Sequence, residues 1–329
     1  MLLRARGERA AKKREAAMPG KIVSIVGPTA SGKTRLAVEL ALRFGGEVVS
    51  CDSMQIYRHM DIGTAKPTAA EMAGVPHHML DVAEAEESYS AARYVEQAGA
   101  CVDDILARGK LPIVAGGTGL YRDALLAGRT FAPFSGRYRG LLERRAAQGE
   151  LPQLYEELRQ VDPQRADKLH PADEKRILRA LEVWYETGKT ITQHDEDSRA
   201  QPPRYEAVSI GLSFADRAQL WAQIDQRVDQ MMAAGLEGEV RALLERGVPK
   251  NCTAMQAIGY KEMAAALEAG RSPWEAAQEI KQRSRQYAKR QLTWFRRDSS
   301  IHWFFWEGTP DFEKALAFST QILEYSGLS

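Results

Sequence analysis

Short β-branched runs alternate along this chain with stretches whose apolar residues recur every three or four positions. That alternation is the pattern of strands and covering helices. Ile22-Val23-Ser24-Ile25-Val26 predicts a buried strand, and Leu36, Val38, Leu40 and Leu42 among alanines predict the helix after it. The strand pattern returns at Glu47-Val48-Val49-Ser50-Cys51, Leu111-Pro112-Ile113-Val114-Ala115, Ala207-Val208-Ser209-Ile210-Gly211-Leu212 and Ile301-His302-Trp303-Phe304-Phe305, the last followed by a closing helix. Over residues 131–203 no convincing strand occurs. Leu141, Leu142, Leu154, Leu158, Ile177, Leu181 and Trp184 instead supply helical positions, and one helix begins at Asp173-Glu174 and stops at Gly188. The expected organisation is a basic N-terminal tail (1–20), a first part of the core (21–130), a helical insertion (131–203) and a second part of the core (204–329).

The first strand runs into Gly27-Pro28-Thr29-Ala30-Ser31-Gly32-Lys33-Thr34, which fits G-x-x-x-x-G-K-[ST] in the strand–loop–helix setting that gives the motif meaning. Glycines let backbone N–H groups turn toward a phosphate, the helix N-terminus adds partial positive charge, and Lys33 adds a full one. The Thr34 hydroxyl can hold Mg²⁺. The expected fold class is therefore α/β, a P-loop NTPase-like parallel sheet core with a helical insertion domain. In open α/β sheets the ligand crevice lies beyond the carboxyl ends of the strands. Asp52 stands there as a base facing the phosphate loop, a metal helper or a cap on the following turn. The loop Gly116-Gly117-Thr118-Gly119 also opens at that end, where glycines permit close approach of a ligand and Thr118 offers a hydroxyl. Asp61-Ile62-Gly63-Thr64-Ala65-Lys66-Pro67 is a polar loop too long for a simple turn. His77 and His78 are adjacent, and no His/Cys grouping has zinc-ligand spacing.

Composition narrows the reading. The 329 residues suggest about two domains, and 44% hydrophobic content supports a proper core. No apolar run approaches a membrane span, and three scattered cysteines fit a reducing cytoplasm. Lys and Arg number 45 against 44 Asp and Glu, so any nucleic-acid surface must be local. Residues 1–17 carry six of those cations but lack the apolar centre of a secretory signal, and read as a tail or as sequence ahead of a true start at Met18.

The local surface is found at 281–297, with seven basic residues and no acid. Arg283, Gln286, Arg290, Thr293 and Arg297 step by three and four along one helical stripe, a one-sidedness that favours a polyanion. Upstream, Trp221, Ile224, Val228 and Met231 recur at helical spacing, with Arg227 roughly 80° from the centre of that face, able to reach into the crevice or out to solvent.

GPTASGKT, the segment Asp52-Ser53-Met54-Gln55-Ile56-Tyr57, DIGTAKP, GGTGLY, QAIGYKE and KRQLTWFR follow one another in an order that resembles the bacterial tRNA dimethylallyltransferases from about Lys21 onward. The resemblance implies transfer of a dimethylallyl group from its diphosphate to N6 of the adenosine 3′ of the anticodon in tRNA, with Mg²⁺. It implies that Asp52 takes the acceptor proton, that Thr118 lies near the reacting base, and that Arg227 joins Lys33, Thr34 and the loop N–H groups around the leaving diphosphate. It also implies that tRNA meets Asp52, Ser53, Met54, Gln55 and Thr118, then Arg139, Lys175, Arg176, Ile177, Leu178 and Arg179. The remaining implied contacts are Met255, Gln256, Ala257, Ile258, Gly259 and Tyr260, with Lys289, Arg290, Gln291, Leu292, Thr293, Trp294, Phe295 and Arg296. No membrane and no obligate protein partner is implied. Eukaryotic relatives often add a C-terminal zinc finger; without Cys/His pairs near Ser329, the short bacterial form fits.

Overall fold

A computed structural model of the protein describes residues 20–132 and 136–328, so the expected basic tail, Gly20 apart, lies outside the described residues. The chain opens with β1 (Gly20–Val26), α1 (Lys33–Phe44), β2 (Glu47–Ser50), α2 (Ala69–Met72), β3 (His77–His78), α3 (Ala91–Ala107), β4 (Pro112–Gly116) and α4 (Gly119–Ala127). There follow α5 (Arg139–Arg145), a π-helical turn (Ala146–Glu150), α6 (Leu151–Val161), α7 (Pro163–Ala166), α8 (Glu174–Thr187) and α9 (Ile191–Arg199). The last part holds β5 (Tyr205–Phe214), α10 (Arg217–Ala233), α11 (Leu236–Glu245), a 3₁₀ turn (Ala254–Gln256), α12 (Tyr260–Glu268), α13 (Pro273–Phe295), β6 (Ile301–Trp306) and α14 (Phe312–Tyr325).

Two compact units result: one of residues up to Leu126 with Arg204 onward, the other Ala127–Pro203. In the first, six parallel strands lie in the order β3-β2-β4-β1-β5-β6. β1 is central, and Ile22, Val23, Ile25 and Val26 are buried on both faces, as a covered parallel sheet requires. Ser24 interrupts this apolar run, and Ser209 does the same in β5. The two are register partners, and both meet the buried Arg122 of α4, at 3.2 and 2.6 Å. Arg122 also reaches Asp298 beyond α13 at 2.7 Å, so these hydroxyls help satisfy a guanidinium lodged under the sheet.

The second unit is helical among its described residues and packs around Leu142, Leu154, Leu158, Ile177, Leu178 and Leu181. Asp173 caps α8 by accepting from Arg176 N, and Gly188 closes it in the left-handed conformation at φ 67°.

One strand escapes the sequence pattern. β3 is two histidines with no apolar run, placed by pairing to β2 and by a bond of 2.8 Å between His78 Nε2 and Glu47. Glu47 itself is 3% exposed and receives Arg108 through both terminal nitrogens, together with Lys110 at 2.8 Å. Arg108, ahead of burial and the other donors, holds its carboxyl well below the usual carboxylate range. A depressed folded pKa stabilises above the unfolded value of about 4.3, and that gain disappears as pH falls toward the folded value. Glu47→Ala is therefore expected to cost about 2 kcal/mol at pH 7, a modest figure because Arg108 and Lys110 are 39% and 45% exposed and regain water. Urea unfolding at pH 6 and pH 3 should show the gap between variant and wild type closing. An equal gap at both would mean that the charge contributes nothing.

Candidate active site

Strand order builds the site. β4 lies between β1 and β2, so the loop after β4 separates the phosphate loop from Asp52. Strands spaced about 4.8 Å apart put the ends of β1 and β2 roughly 10 Å from each other, with the glycine loop between them. Above these ends is a cavity of about 340 Å³, whose polar lining includes Lys33, Thr34, Asp52, Arg227, Tyr287 and Arg290.

The phosphate loop takes its shape from residues that tolerate unusual backbone. Gly27 has φ 148°, and a Cβ there would lie 2.2 Å from Leu212 O. Ala30 and Gly32, at φ 61° and 87°, turn the chain into α1. Ser31 is buried, its carbonyl accepting from Trp306 Nε1 at 3.1 Å, and Lys33 Nζ donates to Pro28 O at 2.6 Å. Among the described residues, neither Lys33 nor Arg227 has a carboxylate in ion-pair contact, and Arg227 Nε is buried without a hydrogen-bond partner. Burial first, and then Arg227 nearby, bring the Lys33 ammonium down to about 7. Burial likewise lowers Arg227, while the charge of Asp52 opposes both shifts. Arg227 thus faces the crevice and not solvent.

Asp52 does cap its own turn: Oδ1 accepts from Met54 N at 2.8 Å and from Gln55 N at 3.3 Å. The same residue lines the cavity, so capping fixes a carboxylate that the site can use. Thr118 Oγ1 accepts from Ser53 N at 3.1 Å and ties the glycine loop to this turn. Tyr287 stands near Thr118 and Asp52, its hydroxyl pushed up to about 12, chiefly by burial.

Several residues that the resemblance gives to tRNA are occupied inside the protein. Gln55 Nε2 donates to Thr64 O and Ala65 O, and its Oε1 accepts from Ser50 Oγ. Met255, Ala257, Tyr260 and Phe295 are buried, and Leu292 packs on the main core. Gln256, Ala257 and Ile258 line the cavity wall, and Gly259 precedes α12 at φ 102°. Ile177 and Leu178 are fully buried in the helical unit, so their side chains cannot touch RNA. In that unit Lys175 and Arg176 are exposed, whereas Arg179 reaches Glu182 and Ala132 O, and Arg139 pairs with Glu143.

The glycines of residues 116–119 serve protein packing. A Cβ on Gly116 would lie 2.0 Å from Cys51 O, on Gly117 2.1 Å from Gln291 Nε2, and on Gly119 2.2 Å from Trp294. Gly116 and Gly117 also line the cavity, so close packing and an open crevice meet at the same loop. On α13, Lys281 and Arg285 pair with Asp229 and Asp225 of α10. Five of the seven cations, Arg283, Lys289, Arg290, Arg296 and Arg297, remain exposed. Thr293 lies beside them, its hydroxyl donating to Lys289 O.

Sequence reasoning missed Ile280, Ser284 and Tyr287 as cavity residues and gave Gln291 to tRNA; together the four form a cavity stripe that steps by four, three and four, one position round from the basic stripe. It also missed Glu239 of α11, whose carboxylate accepts from Asp61 N, Ile62 N and Gly63 N at 2.8, 2.8 and 3.1 Å and from Tyr260 OH at 2.5 Å. No local motif marks it.

Among the described residues no group of three or more His, Cys, Asp or Glu could hold a metal. The Thr34 hydroxyl and Asp52 carboxylate in one cavity suit Mg²⁺, which takes one or two protein oxygens and fills its octahedron with phosphate oxygens and water.

This fold and site define a P-loop α/β protein with a cation-lined crevice beyond its strand ends. Residues 55–298 match the family model for IPP transferase. Over 297 residues the chain is 48% identical to the tRNA dimethylallyltransferase of Caldanaerobacter subterraneus subsp. tengcongensis, covering 89% of this chain and 94% of that protein. The crystal structure of the full-length tRNA isopentenylpyrophosphate transferase of Bacillus halodurans is 41% identical, with TM-score 0.68 over 93% of this chain and 98% of that one. A eukaryotic dimethylallyltransferase, captured in crystallographic snapshots acting on tRNA, is 29% identical with TM-score 0.79, covering 93% of this chain and 80% of that one. The chain belongs to the IPP transferase family.

Lys33 at about 7 gives a pH test. At pH 8 the free protein holds Lys33 largely neutral, and an arriving diphosphate favours its charged form, so binding takes up a proton there. Calorimetry with inorganic pyrophosphate in buffers of different ionisation enthalpy should show greater uptake by wild type than by Lys33→Met at pH 8, and none of that excess at pH 6. Equal uptake by both proteins at pH 8 would place the anion away from Lys33.

Proposed function

We propose that this protein transfers a dimethylallyl group from dimethylallyl diphosphate to N6 of the adenosine 3′ of the anticodon in tRNA. The observation that carries this reading is one cavity joining two cations without acidic partners at a phosphate loop to a capped carboxylate, under a helix with exposed cations. The first carbon of the prenyl group parts from the diphosphate oxygen, which keeps the bonding electrons, and N6 forms the new bond to that carbon. Lys33, Arg227 and the N–H groups of residues 27–34 stabilise the charge growing on the departing diphosphate. Mg²⁺ held by Thr34, when bound, supplies further positive charge to the same oxygens. The N6 amine is a weak nucleophile and gives its proton to Asp52, with Thr118 holding the turn that carries it. Ile224, Val228, Met231 and Ile280 form an apolar wall suited to a five-carbon group.

The acceptor adenine leaves its stack to reach the cavity. Exposed cations on α13 meet the anticodon stem-loop backbone, and Lys175, Arg176, Arg179 and Arg139 of the helical unit are proposed to add contacts there.

Incubation with unmodified tRNA and labelled dimethylallyl diphosphate should move label to tRNA. Label moving from ATP to a small molecule would instead identify a kinase. Asp52→Ala should slow transfer by about 10²–10⁴-fold and leave tRNA affinity nearly unchanged. Equal losses in both would make Asp52 a binding group and not the base. Changing Lys289, Arg290 and Arg296 together to Gln should flatten the slope of log affinity for tRNA against log salt by about 2, at roughly 0.7–0.9 per phosphate contact. An unchanged slope would put the RNA on another face.

A further inference from the structure

Gln291 sits on the helix proposed to meet tRNA, yet its side chain faces inward and is only 6% exposed. Its Oε1 accepts from Thr29 N in the phosphate loop at 2.9 Å, and its Nε2 donates to Gly117 O in the glycine loop at 3.0 Å. No other side chain hydrogen-bonds to both loops among the described residues. The fit is close on both sides, since any Cβ on Gly117 would collide with Gln291 Nε2 at 2.1 Å. Thr29 lies four residues before Lys33, and Gly117 one residue before Thr118. The amide therefore spans the loop that holds the leaving group and the loop that holds the acceptor side.

We infer that Gln291 is a positioning residue that sets the separation of donor and acceptor loops, and that it makes no contact with tRNA. This rests on the transfer reaction proposed above. An amide suits the task because it presents an acceptor and a donor, in a fixed plane, to a backbone N–H and a backbone C=O. Carboxylate would keep the bond to Thr29 N and set oxygen against Gly117 O. A thioether of similar length would keep the volume and lose both bonds.

In single-turnover reactions Gln291→Met is expected to lower the transfer rate by on the order of 10²-fold, the scale of an ångström misplacement at a reacting centre. Affinity for an unmodified anticodon stem-loop should stay within about twofold, since no phosphate contact is lost. Gln291→Glu should show the same split. A fall in stem-loop affinity matching the fall in rate would overturn the inference, because it would put the side chain on RNA. Unchanged rate would overturn it too.

A second route avoids dependence on one variant. Gly117→Ala should slow transfer by displacing the Gln291 amide, and in a Gln291→Ala background the same change should cost little, because the methyl then has room. Additive losses would mean that the two residues act separately. Amide exchange at Thr29 requires no assumption about the reaction and should quicken by about tenfold in Gln291→Met, the scale of one lost hydrogen bond. Unaltered exchange would overturn the bridge. Wild-type protein inert toward the labelled donor, but with Thr29 exchange dependent on Gln291, would defeat the proposed reaction and leave the bridge standing.

Discussion

Two cations held in one cavity with no carboxylate in ion-pair contact, among the described residues, are the constraint on which the rest of this structure depends. A buried ammonium beside a buried guanidinium is unfavourable by desolvation and by mutual repulsion; burial lowers both Lys33 and Arg227, and the nearby guanidinium lowers Lys33 further. An isolated helix pair would relieve that strain by swinging Arg227 to water. Here it cannot, because α10 is fixed by Leu220, Ile224 and Val228 in the core and by Asp225 and Asp229 on α13. Asp225 and Asp229, the acids of α10 on either side of Arg227, pair with Arg285 and Lys281 instead, and Asp52 across the cavity opposes the charge of both cations only in part. What remains is a preorganised positive site, which on the proposed function a diphosphate completes.

Holding such a site open requires ties between loops that are far apart in the chain. Glu239 gathers three successive N–H groups of residues 61–63, and the ring of Tyr260 lies where a side chain on Gly63 would go. Arg122 joins β1, β5 and Asp298, while Trp294 Nε1 donates to Asp123 at 2.8 Å, so α4 is tied to the end of α13. The Arg122 tie satisfies buried polar groups that would otherwise oppose folding, and the Glu239 tie fixes the edge of the cavity at Gly63.

The parts legible in the sequence are those whose signal is local. Apolar runs marked five of six strands, and capping chemistry at Asp173 and Gly188 marked both ends of α8. The phosphate loop was legible because strand, glycines, lysine and helix are contiguous. β3 was not, because two histidines enter the sheet through Glu47 and not through an apolar pattern. Glu239 and Gln291 act across separations of more than 170 residues, so no window contains both partners. Glycines 116, 117 and 119 were visible, but whether a ligand or a side chain fills the space beside them is decided only by packing.

Helix α13 carries two adjacent stripes, of which the sequence makes only the charged one conspicuous. Positive charge is conspicuous in a near-neutral chain, so the stripe through Arg283 and Arg290 dominates the pattern. The adjacent stripe mixes Ile280, Ser284, Tyr287 and Gln291, which share no property except that all face one cavity. A helix serving as both cavity wall and charged surface needs the two stripes adjacent, and Arg290 belongs to both, exposed but part of the lining. Its guanidinium lies 5.4 Å from the Tyr287 ring, which packs one stripe against the other. On the proposed function, RNA docked on the outer stripe presses on the element whose inner stripe carries the Gln291 bridge. The surface that would recognise the acceptor and the amide that would set the loop separation are then one rigid body.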